Sequence, residues 1–196
     1  MEVMKKKLYI VRHGHTRFNL KDRVQGACDS PLTALGQRQA LAAKKYLKDK
    51  GVEFDHVFAS CQQRAFDTAE IIGGKDWIMV RDLKEMDFGD YEGDANSSLP
   101  PLDTWNEEGA MPTGELLREV RQRGQNALRK IVEDDEVNSA LVVSHGVLIH
   151  ELMEMMEGND PHKFPENCGV ATVEYDTDTS KFAVVERWAP EVSNED

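Results

Sequence analysis

Residues 8–16, with the sequence LYIVRHGHT, contain the pattern that decides the predicted fold. Residues 8–11 are a short apolar and β-branched run, which is typical of a buried strand. Arg12, His13 and Gly14 follow at once, so a guanidinium and an imidazole lie where the chain leaves the predicted sheet, and Gly14 allows a sharp turn. In open α/β sheets the ligand crevice lies outside the carboxyl ends of the strands. We therefore expect Arg12 and His13 to face such a crevice.

Composition and charge limit the class of protein. The 196 residues are 40% hydrophobic and 31% charged, which is typical of one globular domain spanning residues 1–196. No apolar run is long enough to span a membrane, and the net charge of −12 argues against nucleic acid and anionic membranes as partners. The three cysteines are widely spaced and form no CxxC pair, which predicts neither a disulfide nor a structural zinc and favours a cytoplasmic location.

Strand and helix patterns alternate along most of the chain. The predicted strands are residues 8–11, 57–59, 77–80, 140–143, 170–175 and 182–187, and the predicted helices are residues 34–50, 61–72, 113–133 and 147–156. Thr33 is the expected N-cap of the first helix, and Ser60 with Gln63 the expected capping box of the second. The pattern predicts an α/β three-layer sandwich, with a mostly parallel central sheet, an antiparallel edge and helices on both faces. Residues 94–112 read as an irregular, cap-like segment with one helical turn near Trp105.

Three motifs follow the carboxyl ends of three separate predicted strands and should therefore form one pocket. They are Arg12-His13-Gly14, Ser60 with Arg64, and Ser144-His145-Gly146. Arg12 and Arg64 each offer a planar fork of donors that suits phosphate oxygens. The amides of Gly146 and Val147 open a helix, which adds backbone donors and a favourable dipole end.

These groups suit phosphoryl transfer through a covalent intermediate. A neutral His13 imidazole attacks phosphorus and becomes phosphohistidine, which divides one difficult step into two. Glu85 is the candidate proton donor to the leaving alkoxide and later the base that activates water. It must carry a proton at the working pH, which burial or nearby carboxylates would favour. Asp87 and Glu92 remain alternatives to Glu85 for this role.

The motifs together resemble those of the histidine phosphatase superfamily, in particular the metal-independent branch that contains the phosphoglycerate mutases and small broad-specificity phosphatases. The matching blocks are Arg12-His13-Gly14-x-Thr16-x-x-Asn19, Gln25-Gly26, Asp29-Ser30-Pro31-Leu32-Thr33-x-x-Gly36-Gln37, Ser60-x-x-x-Arg64-Ala65-x-x-Thr68-Ala69, Glu85-x-x-Phe88-Gly89-x-x-Glu92-Gly93, Pro112-x-Gly114-Glu115 and Ser144-His145-Gly146. The resemblance implies a small-molecule phosphate ester as substrate and no cofactor or metal. It implies that His13 is the phosphoryl acceptor, that Glu85 is the acid and base, and that the phosphate-side residues are Arg12, Asn19, Gln25, Gly26, Arg64 and His145.

A charge pattern favours a hydrolase over a mutase. Residues 85–117 contain nine Asp or Glu and no Lys or Arg. The corresponding region of the mutases supplies basic residues for a phosphorylated and carboxylated substrate, by the same resemblance. An acidic segment would repel such a substrate, so we expect a phosphate monoester whose other end is neutral, apolar or cationic.

Three other functions stay open at this point. A metal-dependent hydrolase would use His13, His15 and His145, although acidic ligands at the right spacing are missing. A weakly catalytic module that only binds phosphorylated ligands would need the arginines but no acid or base. A phosphoglycerate mutase would use the same groups to transfer the phosphoryl group. His15 is otherwise expected at the rim of the pocket or facing solvent, and His56, His150 and His162 in structural positions.

Overall fold

The computed structural model describes residues 5–158 and 164–192. Its strands are β1 (Lys5–Arg12), β2 (His56–Ala59), β3 (Ile78–Met79), β4 (Ser139–Ser144), β5 (Val170–Asp176) and β6 (Lys181–Trp188). Its α-helices are α1 (Arg17–Leu20), α2 (Ala34–Asp49), α3 (Gln63–Gly73), α4 (Leu117–Glu133) and α5 (Gly146–Glu157). His162 lies outside the described residues. Within the described ranges, no helix has the length and apolar character needed to cross a bilayer.

All six strands form one sheet in the order β3-β2-β4-β1-β5-β6. The strands β3, β2, β4 and β1 pair in parallel, whereas β5 runs antiparallel to both β1 and β6. The predicted α/β class, with a mostly parallel sheet and an antiparallel edge, is therefore confirmed. The carboxyl ends of β1, β2 and β4 meet at one edge, which brings Arg12, Ser60 and Ser144 close together.

Helices cover both faces of the sheet because the central strands are apolar on both sides. Leu8 and Ile10 of β1 belong to the core cluster formed with α4 and α5. Tyr9 and Val11, which point the other way, belong to the cluster formed with α2 and α3. The sequence of such a strand is a continuous apolar run and does not alternate between apolar and polar residues.

Two local predictions need correction, and one element was not predicted. The strand expected at residues 77–80 is reduced to Ile78–Met79 at the edge of the sheet. Helix α4 begins at Leu117 rather than near Thr113, because Thr113 has a positive φ of 62° and Gly114 lies against the Asp87 carbonyl. The short helix α1 was not predicted, and it begins with a capping box of Thr16 and Asn19.

The predicted cap-like segment contains two short 3₁₀ turns, Asn96–Ser98 and Leu102–Thr104. Trp105, next to the second turn, is buried against Phe88, with ring centroids 5.4 Å apart at 86°. This edge-to-face packing attaches the segment to the core, and an indole hydrogen bond to the Pro100 carbonyl (2.8 Å) holds the segment together.

Gly14 is needed for close backbone approach rather than for an unusual φ. A Cβ on Gly14 would lie 2.6 Å from the carbonyl oxygen of Gly36 in α2. Its amide donates to the Thr68 hydroxyl of α3 (3.0 Å). The turn after β1 is therefore held between two helices, which fixes the neighbouring His13.

Candidate active site

His13 is buried at the end of β1, and its tautomer follows from one contact. The ring atom Nδ1 lies 2.8 Å from the Gly14 carbonyl oxygen, which can only accept a hydrogen bond. Nδ1 therefore carries the proton, and Nε2 keeps its lone pair. Burial, reinforced by the charges of Arg64 and Arg12, holds the pKa of His13 well below its usual 6.5. A neutral imidazole with a free Nε2 is a nucleophile.

His145 lies beside His13 at the end of β4, with 5.2 Å between the two ring centroids. Its Nε2 is hydrogen-bonded to the Ser60 hydroxyl (2.8 Å), whereas Nδ1 is buried and has no partner. Burial first, and then the charge of Arg64, hold the pKa of His145 well below 6.5. The capping box expected from Ser60 and Gln63 is wrong: the N-cap of α3 is Gln62, without a side-chain cap. The Ser60 hydroxyl orients His145 instead.

Arg64, in the first turn of α3, is fully buried and bound to the segment of residues 25–29. Its Nη1 donates to the Cys28 carbonyl and to Asp29 Oδ1, at 3.0 and 2.9 Å. Its Nη2 donates to the Gly26 carbonyl (3.0 Å) and, more weakly, to that of Gln25. The Gln25 side-chain oxygen accepts from Nε of Arg64 (3.2 Å). Arg64 thus orders the segment that contains the predicted pocket residues Gln25 and Gly26.

Arg12 has a buried donor without a partner. Its Nη1 donates to the Pro165 carbonyl (2.8 Å), but Nε is buried without a partner. Among buried side-chain nitrogens and oxygens of the described residues, only Arg12 Nε, His145 Nδ1 and Arg187 Nε are unpaired. Two of these three belong to Arg12, the residue before His13, and to His145, whose ring lies beside that of His13. Buried polar atoms in proteins are otherwise nearly always paired. An anion bound in front of His13 would satisfy them.

Glu85 lies next to this cluster and caps helix α5. Its carboxylate accepts hydrogen bonds from the amides of Met86, Val147 and Leu148, at 2.9, 3.0 and 3.2 Å. The position of a Cβ on Gly146 would be 3.4 Å from Arg12 Nε and 3.6 Å from Glu85 Oε2. The Glu85 carboxylate therefore occupies the anion site at the start of α5 in which the sequence predicts phosphate.

The two other candidates for the acid are bound within loops. Glu92 accepts from the amides of Gly26, Ala27, Cys28 and Phe88, at 2.7–3.1 Å. Burial alone would raise the pKa of Glu92, but the hydrogen bonds from Cys28 and Phe88 lower it below its usual value. Asp87 accepts from the Gly89 amide (2.9 Å). Glu92 stays ionised and holds the segment that Arg64 also binds.

The structure adds two residues that the sequence did not single out. The Asn167 side chain donates to the His13 carbonyl (2.9 Å), and it lies 3.5 Å from the Oδ1 of Asn19, which also accepts from Thr16. Gln62 bonds to the backbone of both Gly26 and Glu85. No residue pattern predicts these contacts, because each bonds to backbone that is distant in the sequence.

The three histidines of the metal-site alternative do not come together as ligands. The His15 ring bonds to the Thr33 hydroxyl (3.0 Å), at the predicted N-cap of α2. Among the described residues, the group with metal-ligand geometry is His150, Glu151 and Glu154. Arg121 already binds both of these carboxylates, at 2.8 and 2.9 Å. The Arg121 guanidinium therefore already supplies the positive charge that a metal ion would bring to these two carboxylates.

The buried histidines should make the free energy of unfolding decrease as the pH falls below about 6.5. The unfolded chain takes up protons near pH 6.5, whereas the folded rings resist protonation, so the unfolded state binds more protons in this range. Below that pH, each of His13 and His145 contributes a loss of at most about 1.4 kcal/mol per pH unit. Urea unfolding of His13→Gln and His145→Gln should show a pH dependence weaker by about that amount. An unchanged dependence would contradict the buried neutral state.

Known proteins share both the sequence and the fold. The chain is 35% identical over 158 residues to the uncharacterized phosphatase PhoE of Bacillus subtilis (strain 168), with 78% of each chain covered. It is 33% identical over 183 residues to the probable phosphoglycerate mutase GpmB of Enterobacter sp. (strain 638), with 86% of this chain and 84% of GpmB covered. The crystal structure of phosphoglycerate mutase from Bacillus anthracis str. Sterne aligns with a TM-score of 0.81 and 26% identity, covering 94% and 93% of the two chains.

These relatives carry both phosphatase and mutase names, so they agree on the family and the fold but not on the reaction. The family model for branch 1 of the histidine phosphatase superfamily matches residues 8–187. This is the superfamily that the motifs resemble. The chain belongs to the histidine phosphatase superfamily.

Proposed function

We propose that the protein is a metal-independent phosphatase that hydrolyses small-molecule phosphate monoesters through a phosphohistidine on His13. One observation carries the proposal. The His13 ring is held with Nε2 free of a proton and lies beside the His145 ring, and both His145 and the preceding residue Arg12 have a buried side-chain nitrogen without a partner. Phosphate monoesters react very slowly in water, so positioning and charge stabilisation must supply most of the acceleration.

The first chemical step transfers the phosphoryl group to the protein. His13 Nε2 attacks phosphorus in line, the P–O bond to the alcohol breaks, and Glu85 gives its proton to the leaving oxygen. Arg12 and His145 hold the phosphate oxygens through the nitrogens that are unpaired without ligand, and Arg64, whose donors bond to residues 25–29, adds its positive charge. Asn19, Gln25 and Gly26 shape the same side of the pocket. In the second step the Glu85 carboxylate takes a proton from water, whose oxygen attacks phosphorus and releases His13 and inorganic phosphate.

Phosphate binding changes the surroundings of Glu85. Without ligand, its carboxylate accepts hydrogen bonds from three amides, two of them in the first turn of α5. A phosphate dianion that accepts from the amides of Gly146 and Val147 displaces this carboxylate from the start of α5.

The charges near the predicted cap support hydrolysis rather than mutase transfer. Asp94, Asp103, Glu107 and Glu108 are exposed, whereas Glu115 is paired with Arg123 and Lys84. The Asp94 carbonyl accepts from Val24, directly before Gln25, so the cap-like segment adjoins the phosphate side of the pocket. We propose that residues 94–112 act as a cap within a single domain and disfavour substrates with additional negative charge.

The free cysteines Cys28, Cys61 and Cys168 support a reducing, cytoplasmic location.

Phosphate release from a panel of monophosphates tests this function. The panel pairs esters of a neutral alcohol and of an amino alcohol with 2- and 3-phosphoglycerate, with and without a strong chelator. We expect inorganic phosphate from the neutral and amino esters, unaffected by the chelator. Preferred hydrolysis of the phosphoglycerates would contradict the charge argument. Interconversion of 2- and 3-phosphoglycerate without phosphate release would identify a mutase instead, and chelator-sensitive release would favour a metal-dependent hydrolase.

A further inference from the structure

Gln62 connects the two halves of the candidate site through one side chain. Its Oε1 accepts from the Glu85 amide (2.8 Å), and its Nε2 donates to the Gly26 carbonyl. That carbonyl also accepts from Arg64 Nη2 (3.0 Å). The side chain is buried, with 8% of the residue exposed. Gln62 therefore joins the backbone of the proposed acid to the segment on the phosphate side.

The peptide backbone at Glu85 is held from both sides. Its N–H donates to Gln62, and its C=O accepts from Arg123 Nη2 of helix α4 (2.9 Å). Arg123 also binds the carbonyls of Asp82 and Lys84, at 3.0 and 2.6 Å. These contacts fix the backbone from which the Glu85 carboxylate reaches the amides of α5. Loss of the Gln62 contact would free one side of this backbone.

Only a side chain with both a donor and an acceptor serves this position. The amide of glutamine supplies each in one plane, whereas methionine fills the same volume and supplies neither. An apolar residue would leave a buried N–H and a buried C=O without that partner. The missing hydrogen bonds could not be replaced by a side chain at position 26, because a Cβ on Gly26 would lie 2.1 Å from the Met86 carbonyl oxygen.

We propose that Gln62 is a positioning residue for the proton donor. It acts through the Glu85 backbone and keeps the carboxyl group in register with the leaving oxygen of a phosphate bound beside His13. This inference rests on the proposed phosphatase function and adds a residue that does not touch the substrate.

The dependence of the rate on the leaving group separates this role from a general loss of stability. A p-nitrophenolate leaves with little help from an acid, whereas an alkoxide needs the proton. For Gln62→Met we expect kcat/KM for an alkyl phosphate to fall about 30-fold, but only about 3-fold for p-nitrophenyl phosphate. The matched control is Gln63→Met, the next residue of α3, whose side chain is exposed. It should leave both values unchanged.

Gln62→Glu provides a rescue that depends on pH. A protonated carboxyl group donates to the Gly26 carbonyl and accepts from the Glu85 amide, as the natural amide does. The ionised form presents two acceptors and repels that carbonyl. The quantity to follow is the kcat/KM of Gln62→Glu for the alkyl phosphate divided by that of the wild type at the same pH. This ratio should therefore rise as the pH falls. The corresponding ratio for Gln62→Met should stay flat.

The outcomes distinguish this inference from the proposed function. Wild-type hydrolysis with equal losses for the two esters in Gln62→Met, or with a pH-independent Gln62→Glu ratio, overturns the role of Gln62 alone. Absence of wild-type phosphate release overturns the proposed function and this inference with it. If Gln62→Met does not fold, the Gln62→Glu ratio decides.

Discussion

Replacing His13 by alanine should lower kcat for phosphate-ester hydrolysis by about 10⁴-fold or more, the largest effect expected from any single change. The substitution removes the imidazole whose Nε2 is free of a proton and which lies beside His145, next to two buried residues with unpaired nitrogens, Arg12 and His145. The remaining groups can still bind phosphate, so KM should change much less than kcat. Affinity for inorganic phosphate should be retained.

A covalent trap provides the decisive measurement for His13. Denatured wild-type protein, quenched during turnover, should carry a phosphoryl group that is labile in acid and stable in base, as expected of phosphohistidine. His13→Ala should carry none. His15→Ala is the matched control, because His15 bonds to Thr33 and is not grouped with His13 and His145 as a ligand. Substantial turnover by His13→Ala, or loss of activity in His15→Ala, would overturn the assignment.

Replacing Glu85 by glutamine should have the second largest effect. A positioned general acid contributes about 10²–10⁴-fold, and we expect kcat/KM for alkyl phosphates to fall in that range. Glutamine has nearly the same shape and still offers one oxygen to the amides of α5, but it cannot give up a proton at neutral pH. The deficit should be about 10-fold smaller for p-nitrophenyl phosphate, whose leaving group needs little protonation.

Asp87→Asn is the comparison that tests the alternative acid. The Asp87 carboxylate accepts from the Gly89 amide, and its backbone N–H donates to Glu115. We therefore expect the variant to lose stability without the leaving-group dependence of Glu85→Gln. The measurements are kcat/KM for both esters and the melting temperature, made on each variant. A larger leaving-group effect in Asp87→Asn than in Glu85→Gln would reassign the proton donor.

The central features of the fold were predictable because they depend on local patterns. The apolar run of residues 8–11 predicts β1, and Thr33 is the N-cap of α2, with its hydroxyl 3.1 Å from the Gly36 amide. The crevice follows as well, since strands that are parallel in one sheet bring Arg12 and His145 to the same edge.

The local errors have tertiary causes. Ser60 matches a capping box, but its hydroxyl bonds to His145, which is 85 residues away in the sequence. Residues 113–116 have a helical pattern, but they do not join the helix, because the Glu115 carboxylate bonds to Arg123 and to the Asp87 amide. In both places a distant partner competes with the local hydrogen bond, and a single sequence does not show that partner.

The roles of the carboxylates were the least predictable part of the site. Glu85 and Glu92 are both acidic residues in a loop with glycines, and both receive several amide hydrogen bonds. They differ in which amides they bind: Glu85 binds the start of α5 beside Arg12, whereas Glu92 binds the segment next to Arg64. That difference depends on loop paths, which have no periodic pattern.

The order of the strands has a consequence for synthesis of the protein on the ribosome. β4 lies between β1 and β2 in the sheet, although it follows β2 by about 80 residues in the chain. Until Ser139–Ser144 has emerged from the ribosome, the facing edges of β1 and β2 have unpaired backbone groups and exposed apolar side chains. Such nascent chains are prone to aggregate and to need chaperones. One late strand therefore joins β1 to β2 and completes the histidine pair.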